Sequence, residues 1–326
     1  MKLKLPHLKQ ELSGHYKLIV KRDGVIRHET DWFDNLITNA GLNALGESVA
    51  LARYCMVGTD NSTPSTANTV LGGQVASKDG NAAPSIVRTT GVVTSSPRYG
   101  WERHSYTFPQ GTVIGNIAEV GVGWTTTLVF SRSLVSPAIS IGAIDELTVV
   151  YELRMYLPTS NVTGSVVIDS VTYNYEIAPL WASTSNNAGY DRGWSPSLLN
   201  QPASARSWSN FNSDAGRYGA WIYGPPCVLQ AITDTDLRQT LGGTISPTGS
   251  SAFSNGISNA AYITSSLECQ ITYQFGIAMA NGSGGIRGIV YTGLFGTYQC
   301  ILDATIPKDN TKILTLTFQQ SWTRRP

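Results

Sequence analysis

The sequence predicts an all-β protein: two tandem, related antiparallel β-sandwich domains with one short helix near residues 39–49. Three observations carry this. Charged residues make up 14% of the 326, against roughly 25% in ordinary soluble domains, while Gly (32), Tyr (15) and Trp (8) are plentiful. Strand-like runs recur at short intervals between turn clusters, without the intervening helices that βαβ units need. The second half of the chain also repeats, in order, the landmarks of the first.

The residues before the first strand, 1–12, place Lys2, Lys4, His7 and Lys9 around the apolar Leu5 and Leu8. A frayed terminus is the plain reading. The sharper expectation is a docking arm that adds a strand to, or fills a groove on, a neighbouring subunit. Next, Tyr16–Val20 and Val25–His28 flank Asp23-Gly24, a strong hairpin signal. Asn39 is positioned to cap the short helix, which carries Leu42, Leu45 and Val49 on one face. Further strand-like runs are Tyr54–Val57, Arg103–Phe108, Ile117–Val122, Leu128–Leu134 and Leu147–Tyr156.

The repeat is the most informative feature. RYCMVG, VLGG, SYTF, NIAEVGV and ELTVVYELRMY are followed in the same order by AWIYG, TLGG, TYQF, GIRGIVY and ILTLTFQQSW. The separations from Gly58 to Gly224, Leu71 to Leu241, Tyr106 to Tyr273, Ile117 to Ile286 and Leu147 to Leu314 are nearly the same, drifting by only a few positions. A duplicated domain is expected, one copy over 13–158 and the other over 165–326, joined by a turn at Pro158–Asn161. The second copy carries an aromatic-rich loop over 181–221.

A net charge of +1 argues against nucleic-acid binding, which needs a basic field. Neither a membrane-length apolar run nor the apolar core of an export signal is present. Cys55, Cys227, Cys269 and Cys300 lie far apart and read as four free, buried thiols in a reducing cytosol, a Cys269–Cys300 bridge being the alternative. His7, His15 and His28 crowd the N-terminal end, and His104 sits in a strand. With no G-x-S-x-G elbow, no Ser/His/Asp triad is expected. Phosphate loops are missing. Asp234-Thr-Asp236 opens like a calcium loop, but Gln239 and Ile245 stand where Gly and Glu are required. Asp145, Glu146, Asp191 and Asp214 read as solvated loop acids rather than a glycosidase pair. The expectation is a protein that is not an enzyme and needs no cofactor or metal.

Trp181, Trp194, Trp208 and Trp221 gather half the tryptophans into one stretch of chain, with Tyr190, Phe211 and Tyr218 among them. Three readings stand: rings that pin a long loop to its own domain, a protein contact in an assembly, or a glycan-stacking surface. Trp181, Tyr190, Trp194, Trp208, Phe211 and Tyr218 form the candidate partner or glycan surface.

Several ordered phrases carry a resemblance: WFDNLITNAGLNALG (32–46), YCMVGTDNSTPSTANTVL (54–71), GNIAEVGVGW (115–124), LVFSRSLV (128–135), DELTVVYELRMYLP (145–158) and VTGSVVIDSVTYNYEI (162–177). Over about residues 15–177 the chain resembles the tail-fibre or minor structural proteins of tailed-bacteriophage virions. That resemblance implies a virion part without catalytic residues, assembled in the host cytoplasm as a homo-oligomer beside other tail or neck proteins. A receptor-binding tail protein that recognises host cell-surface glycan is the alternative, and a capsid decoration protein a weaker one. Within the Ser131-Arg132 segment, Arg132 reads as a solvated arginine, with capping of nearby carbonyls as the alternative.

Overall fold

The protein, seen in a computed structural model, is described for residues 1–5, 8–47, 49–93, 95–156, 158, 160–180, 220–223, 256–259, 262–279, 281, 284–293 and 296–326. The elements in chain order are β1 (Lys2–Lys4), β2 (Leu8–Arg22), β3 (Val25–Glu29), β4 (Phe33–Asp34), β5 (Leu36–Ile37), α1 (Asn39–Gly46), β6 (Tyr54–Gly58), β7 (Gln74–Asp79), β8 (Val87–Val93) and β9 (Tyr99–Phe108). They continue with β10 (Gly115–Gly123), β11 (Ser131–Ile141), β12 (Asp145–Tyr156), β13 (Val162–Ile168), β14 (Val171–Leu180), β15 (Ala220–Tyr223), β16 (Gly256–Asn259), β17 (Glu268–Phe275), β18 (Ile286–Gly293), β19 (Gly296–Ile306) and β20 (Leu314–Arg324). The all-β expectation holds, with a single short helix among the described residues.

Period-two alternation builds the layers. In β2, β9, β12 and β20 every second side chain is buried, the mark of strands with one face on a core. These strands lie in one long sheet ordered β16-β17-β20-β2-β12-β9-β8. One five-stranded sheet, β5-β11-β10-β6-β7, covers the β2 end, where the Phe130 and Tyr151 rings meet at 6.5 Å. A second, β13-β14-β19-β18-β15, covers the β20 end, where the Tyr291 and Phe318 rings lie 4.5 Å apart. One connected apolar core runs through both sandwiches.

The halves pair their strands alike. In the β9–β12 ladder Phe108 faces Leu147, and in the β17–β20 ladder Phe275 faces Leu314, both partners displaced along the chain by one common offset. The β10–β11 pair breaks register between Ile117 and Glu119, and the β18–β19 pair between Ile286 and Gly288, again at a common offset. Before these bulges, Gly115 and Gly284 both take positive φ (124° and 103°). That conformation is open to residues without a Cβ.

Several expectations need correction, although the Asp23-Gly24 hairpin forms as foreseen. Its two turn residues adopt positive φ, 49° at Asp23 and 77° at Gly24, as a tight turn between twisted strands requires. The helix is capped by Thr38, whose Oγ1 accepts from Gly41 N at 2.8 Å, rather than by Asn39. A hydroxyl in that place satisfies an amide that the first turn leaves unpaired. The helix stops at Gly46, so Val49 lies beyond it. The run at 128–134 enters its strand only at Ser131.

The larger correction concerns the arm. The stretch 1–12 is not a free peg for a neighbour. Its described residues, 1–5 and 8–12, belong to the chain's own long sheet: β1 pairs parallel with β20, Lys2 opposite Thr315, and the first residues of β2 continue that pairing, Leu8 opposite Gln320. Leu5 N donates to Thr317 O at 2.7 Å, and Arg325 N to Leu12 O at 2.8 Å. Leu3, Leu5, Leu8 and Leu12 are buried in the core, while Lys2, Lys4 and Lys9 point outward. Four buried leucines remove too much apolar surface from water to fray, at about 1.5–3 kcal/mol each. His7 lies outside the described residues.

The two sandwiches are therefore stitched into one sheet by β2, which pairs with β20 through Leu8–Leu12 and with β12 through Glu11–Arg22. The helix adds a second stitch. Trp322 Nε1 donates to Leu42 O at 2.7 Å, and Tyr262 OH donates to Asn43 Oδ1 at 2.9 Å.

Candidate interaction face

The long sheet's outer face, away from the core, collects a concentrated group of charged and aromatic side chains. Strand alternation dictates it. In β9, Gly100, Glu102, His104, Tyr106 and Phe108 turn inward, which leaves Tyr99, Trp101 and Arg103 outward. Register then sets their neighbours: Arg103 faces Glu152, Trp101 faces Arg154, and Tyr99 faces Tyr156. On the other side of β12, Glu152 faces His15 and Arg154 faces Ser13 of β2.

The result is a ladder of guanidinium groups on aromatic rings. Arg103 lies between Trp101 (4.1 Å) and Trp32 (5.0 Å), Arg154 over Tyr99 (4.9 Å), and Arg325 over Tyr156 (3.9 Å). Each such stack contributes about 0.5–1 kcal/mol at an exposed site. Glu152, although on the outer face, is only 1% exposed because Arg103 and Arg154 both bond it, Arg154 Nε at 2.5 Å. Gly91 of the neighbouring β8 leaves room for the Trp101 indole, which occupies the space a Cβ would take.

Beside this ladder stand Ser13, His15 and Asp34. Ser13 Oγ is 2.9 Å from His15 Nε2, and His15 Nδ1 is 2.8 Å from Asp34 Oδ1. The connectivity is that of a hydrolytic triad, which the sequence reading did not expect. The signal was Ser-x-His within one strand, since residues two apart share a face. Its electrostatics favour the uncharged imidazole. A general base must become an imidazolium that its carboxylate stabilises. Here burial, and next the nearby Arg154 charge, push the His15 pKa below its ordinary 6.5, outweighing Asp34. The Asp34 side chain is 89% exposed, so water and salt screen it. Ser13 Oγ is also shared with Tyr156 OH at 3.2 Å, and Ser13 lies within the β2–β12 ladder. Ser13, His15 and Asp34 thus form one hydrogen-bonded row beside the ladder.

Other polar clusters fasten the fold. Arg132, read from sequence as solvated, is buried: its Nε donates to Glu119 Oε2 and its Nη2 to Asp60 Oδ2, both at 2.8 Å. Glu119 also accepts from Gly72 N (3.1 Å) and Gly73 N (2.6 Å), which pins the loop 59–73 to β10. Asp60's carboxyl sits below its usual range, first because Ser62 donates to it. Inside the first sandwich, His104 Nε2 lies 2.7 Å from Glu102 Oε1, and Tyr106 OH donates to Ala52 O. Lys308 Nζ donates to Gly276 O at 3.2 Å, to Met279 O, and to Asn281 Oδ1 at 2.7 Å, closing another loop.

A shallow cleft of about 820 Å³ on the second cover sheet is lined by Thr163, Asn174, Glu176, Arg287 and Asp303. Asn174 meets Asp303 through Nδ2 (2.6 Å) and its backbone N (2.9 Å), so these groups satisfy each other. Among the described residues, no three His, Cys, Asp or Glu side chains are grouped to hold a metal ion. No described helix is long and apolar enough to cross a membrane. Cys55, Cys269 and Cys300 are buried thiols outside any disulfide, so the Cys269–Cys300 bridge does not form, while Cys227 lies outside the described residues.

No family model, curated protein or solved structure matches this chain. The residues foreseen as the partner or glycan surface, Trp181, Tyr190, Trp194, Trp208, Phe211 and Tyr218, lie outside the described residues, and Trp221 is described only as backbone of β15. The outer-face ladder was missed. Its signal was the alternation Tyr99-x-Trp101-x-Arg103, which places every second residue on one face.

Proposed function

We propose that the chain is a non-enzymatic structural protein of a tailed-bacteriophage virion, a collar, fibre-base or tail-fibre component of the tail or neck. It acts in particle assembly as a homo-oligomer contacting other virion proteins and is made in the host cytoplasm. One observation carries most weight: β2 joins both sandwiches into a single sheet over a single core. A permanent particle part benefits from such a block, with the loop 59–73 pinned by a buried ion pair and Cys55, Cys269 and Cys300 enclosed. The ordered phrases over about 15–177 support the same reading. The matched pairing of the two halves further supports descent from one sandwich copied in tandem.

The test is composition. Particles purified from cells that produce this chain are expected to contain it at on the order of six to a few dozen copies, as closed symmetry requires. Its absence from particles overturns the proposal, and a copy number in the hundreds favours capsid decoration.

A second reading, recognition of host surface glycan, draws on the exposed Trp32 above Arg103 and on the aromatic loop at 181–221. It requires that Trp194→Ala with Trp208→Ala, or Trp32→Ala, reduce adsorption to cells while particle composition stays constant. Unchanged adsorption in both variants removes it.

A further inference from the structure

Each open sheet must manage its edge strands, because an unpaired row of N–H and C=O groups is a template for another chain. Among the described edges, several are short or irregular. β16 and β15 have four residues each, and β7 carries a register break beside β6. β8 differs. It ends the long sheet, pairs only with β9 among the described residues, and spans seven residues, VRTTGVV. Val87 through Thr90 are all exposed, Val87 at 64%. The strand has no proline, no lysine and no bulge within its pairing with β9, the devices that usually blunt an edge.

We propose that β8 is the self-association edge of this protein, pairing antiparallel with β8 of a second copy about a two-fold axis at Thr90. The occupant follows from the segment's own symmetry. Centred on Thr90, the pairing sets Val87 opposite the second copy's Val93, Arg88 opposite Val92, Thr89 opposite Gly91 and Thr90 opposite Thr90. The strand's only charged residue, Arg88, thus stands opposite an apolar position and never opposite its own copy. Val–Val and Thr–Thr cross-strand pairs are favourable, and like charges directly opposite are not. An isologous contact of this kind closes on itself. The long sheet then runs unbroken through both copies. The inference rests on the homo-oligomer reading above and names the surface it uses.

The interface is small, so a weak dimer is expected, one that forms only in concentrated protein. Sedimentation velocity of the full-length chain reads the dimer, and amide exchange of 87–93 is compared in dilute and concentrated protein. The expected result is a dimer with concentration-dependent protection confined to β8. Thr90→Lys sets two ammonium groups face to face and is expected to weaken the dimer about fivefold, the scale of one opposed like-charge pair. Mixing the T90K and T90E proteins is expected to restore association, which a merely misfolded variant cannot do. A chain still monomeric at the highest concentration sedimented overturns the inference. So does a dimer indifferent to T90K, or one whose protection appears at the other seven-residue edge strand, β13. None of these outcomes bears on whether the chain is present in particles, so the two proposals fail separately.

Discussion

Arg132 Nε donates to Glu119 Oε2 at 2.8 Å, and neither side chain is more than 2% exposed. The pair holds β11 to β10 and, through Asp60 and the Gly72 and Gly73 amides, the loop 59–73 to both. Removing one partner of a buried pair leaves an uncompensated charge, which costs about 3–5 kcal/mol. Arg132→Met is therefore expected to lower unfolding free energy by that amount in urea titration, with faster amide exchange in 59–73. Adding Glu119→Gln removes the stranded charge and is expected to recover part of the loss. No recovery argues against the ion-pair account.

The N-terminal strand is a structural member. Leu3→Ala and Leu8→Ala each leave a cavity in the core and are expected to cost about 2–5 kcal/mol. Lys2→Ala and Lys4→Ala, on the outward face, are expected to change stability by no more than about 0.5 kcal/mol. Denaturant midpoints read the contrast directly. Equal effects at leucines and lysines contradict the alternation seen in β1 and β2.

His15 sets a pH window. Burial first, then Arg154, lowers its folded pKa from 6.5, against the pull of Asp34 and Glu152. As pH drops through the unfolded value toward the lowered folded one, the unfolded chain takes up a proton that the folded chain refuses, so stability falls. Urea midpoints on either side of the ordinary histidine pKa are expected to differ in that sense, with the difference reduced in His15→Gln. A difference of the opposite sign contradicts the assignment. Asp79, held below its ordinary 3.8 first by the Arg53 hydrogen bond, acts in a separate, more acidic window.

Thiol and serine chemistry is expected to be silent. Burial pushes the Cys55 and Cys269 thiols upward, so at neutral pH they are neither ionised nor accessible. Iodoacetamide is expected to leave Cys55, Cys269 and Cys300 unlabelled in native protein and to label them in urea, as read by peptide mass spectrometry. A fluorophosphonate probe is expected to leave Ser13 unmodified. Labelling of Ser13 that disappears in His15→Ala contradicts the electrostatic argument above.

Much of the first sandwich was legible. Asp23-Gly24 strongly favours a tight reversal, and the alternation in Tyr99–Phe108 and Leu147–Tyr156 sorts core from surface without any partner being known. The matching landmarks Leu147 and Leu314 also pointed to equivalent ladders. Arg132 was misread because an arginine amid small polar residues looks the same whether a buried carboxylate awaits it or not. Glu119 sits in an apolar strand that gave no hint of its partner. Thr38 took the cap from Asn39 because its hydroxyl, one residue earlier, reaches Gly41 N.

The order of residues by itself determined the strands, their faces and the places where the chain reverses, since these depend on neighbours two to four positions away. Only the tertiary structure decided that residues 1–5 and 8–12 join the chain's own sheet, that Arg132 is interior, and that Trp32, Trp101 and Arg103 meet. Those contacts join segments far apart along the chain. A period-two pattern tells each strand which side to bury, but not which strand lies beside it.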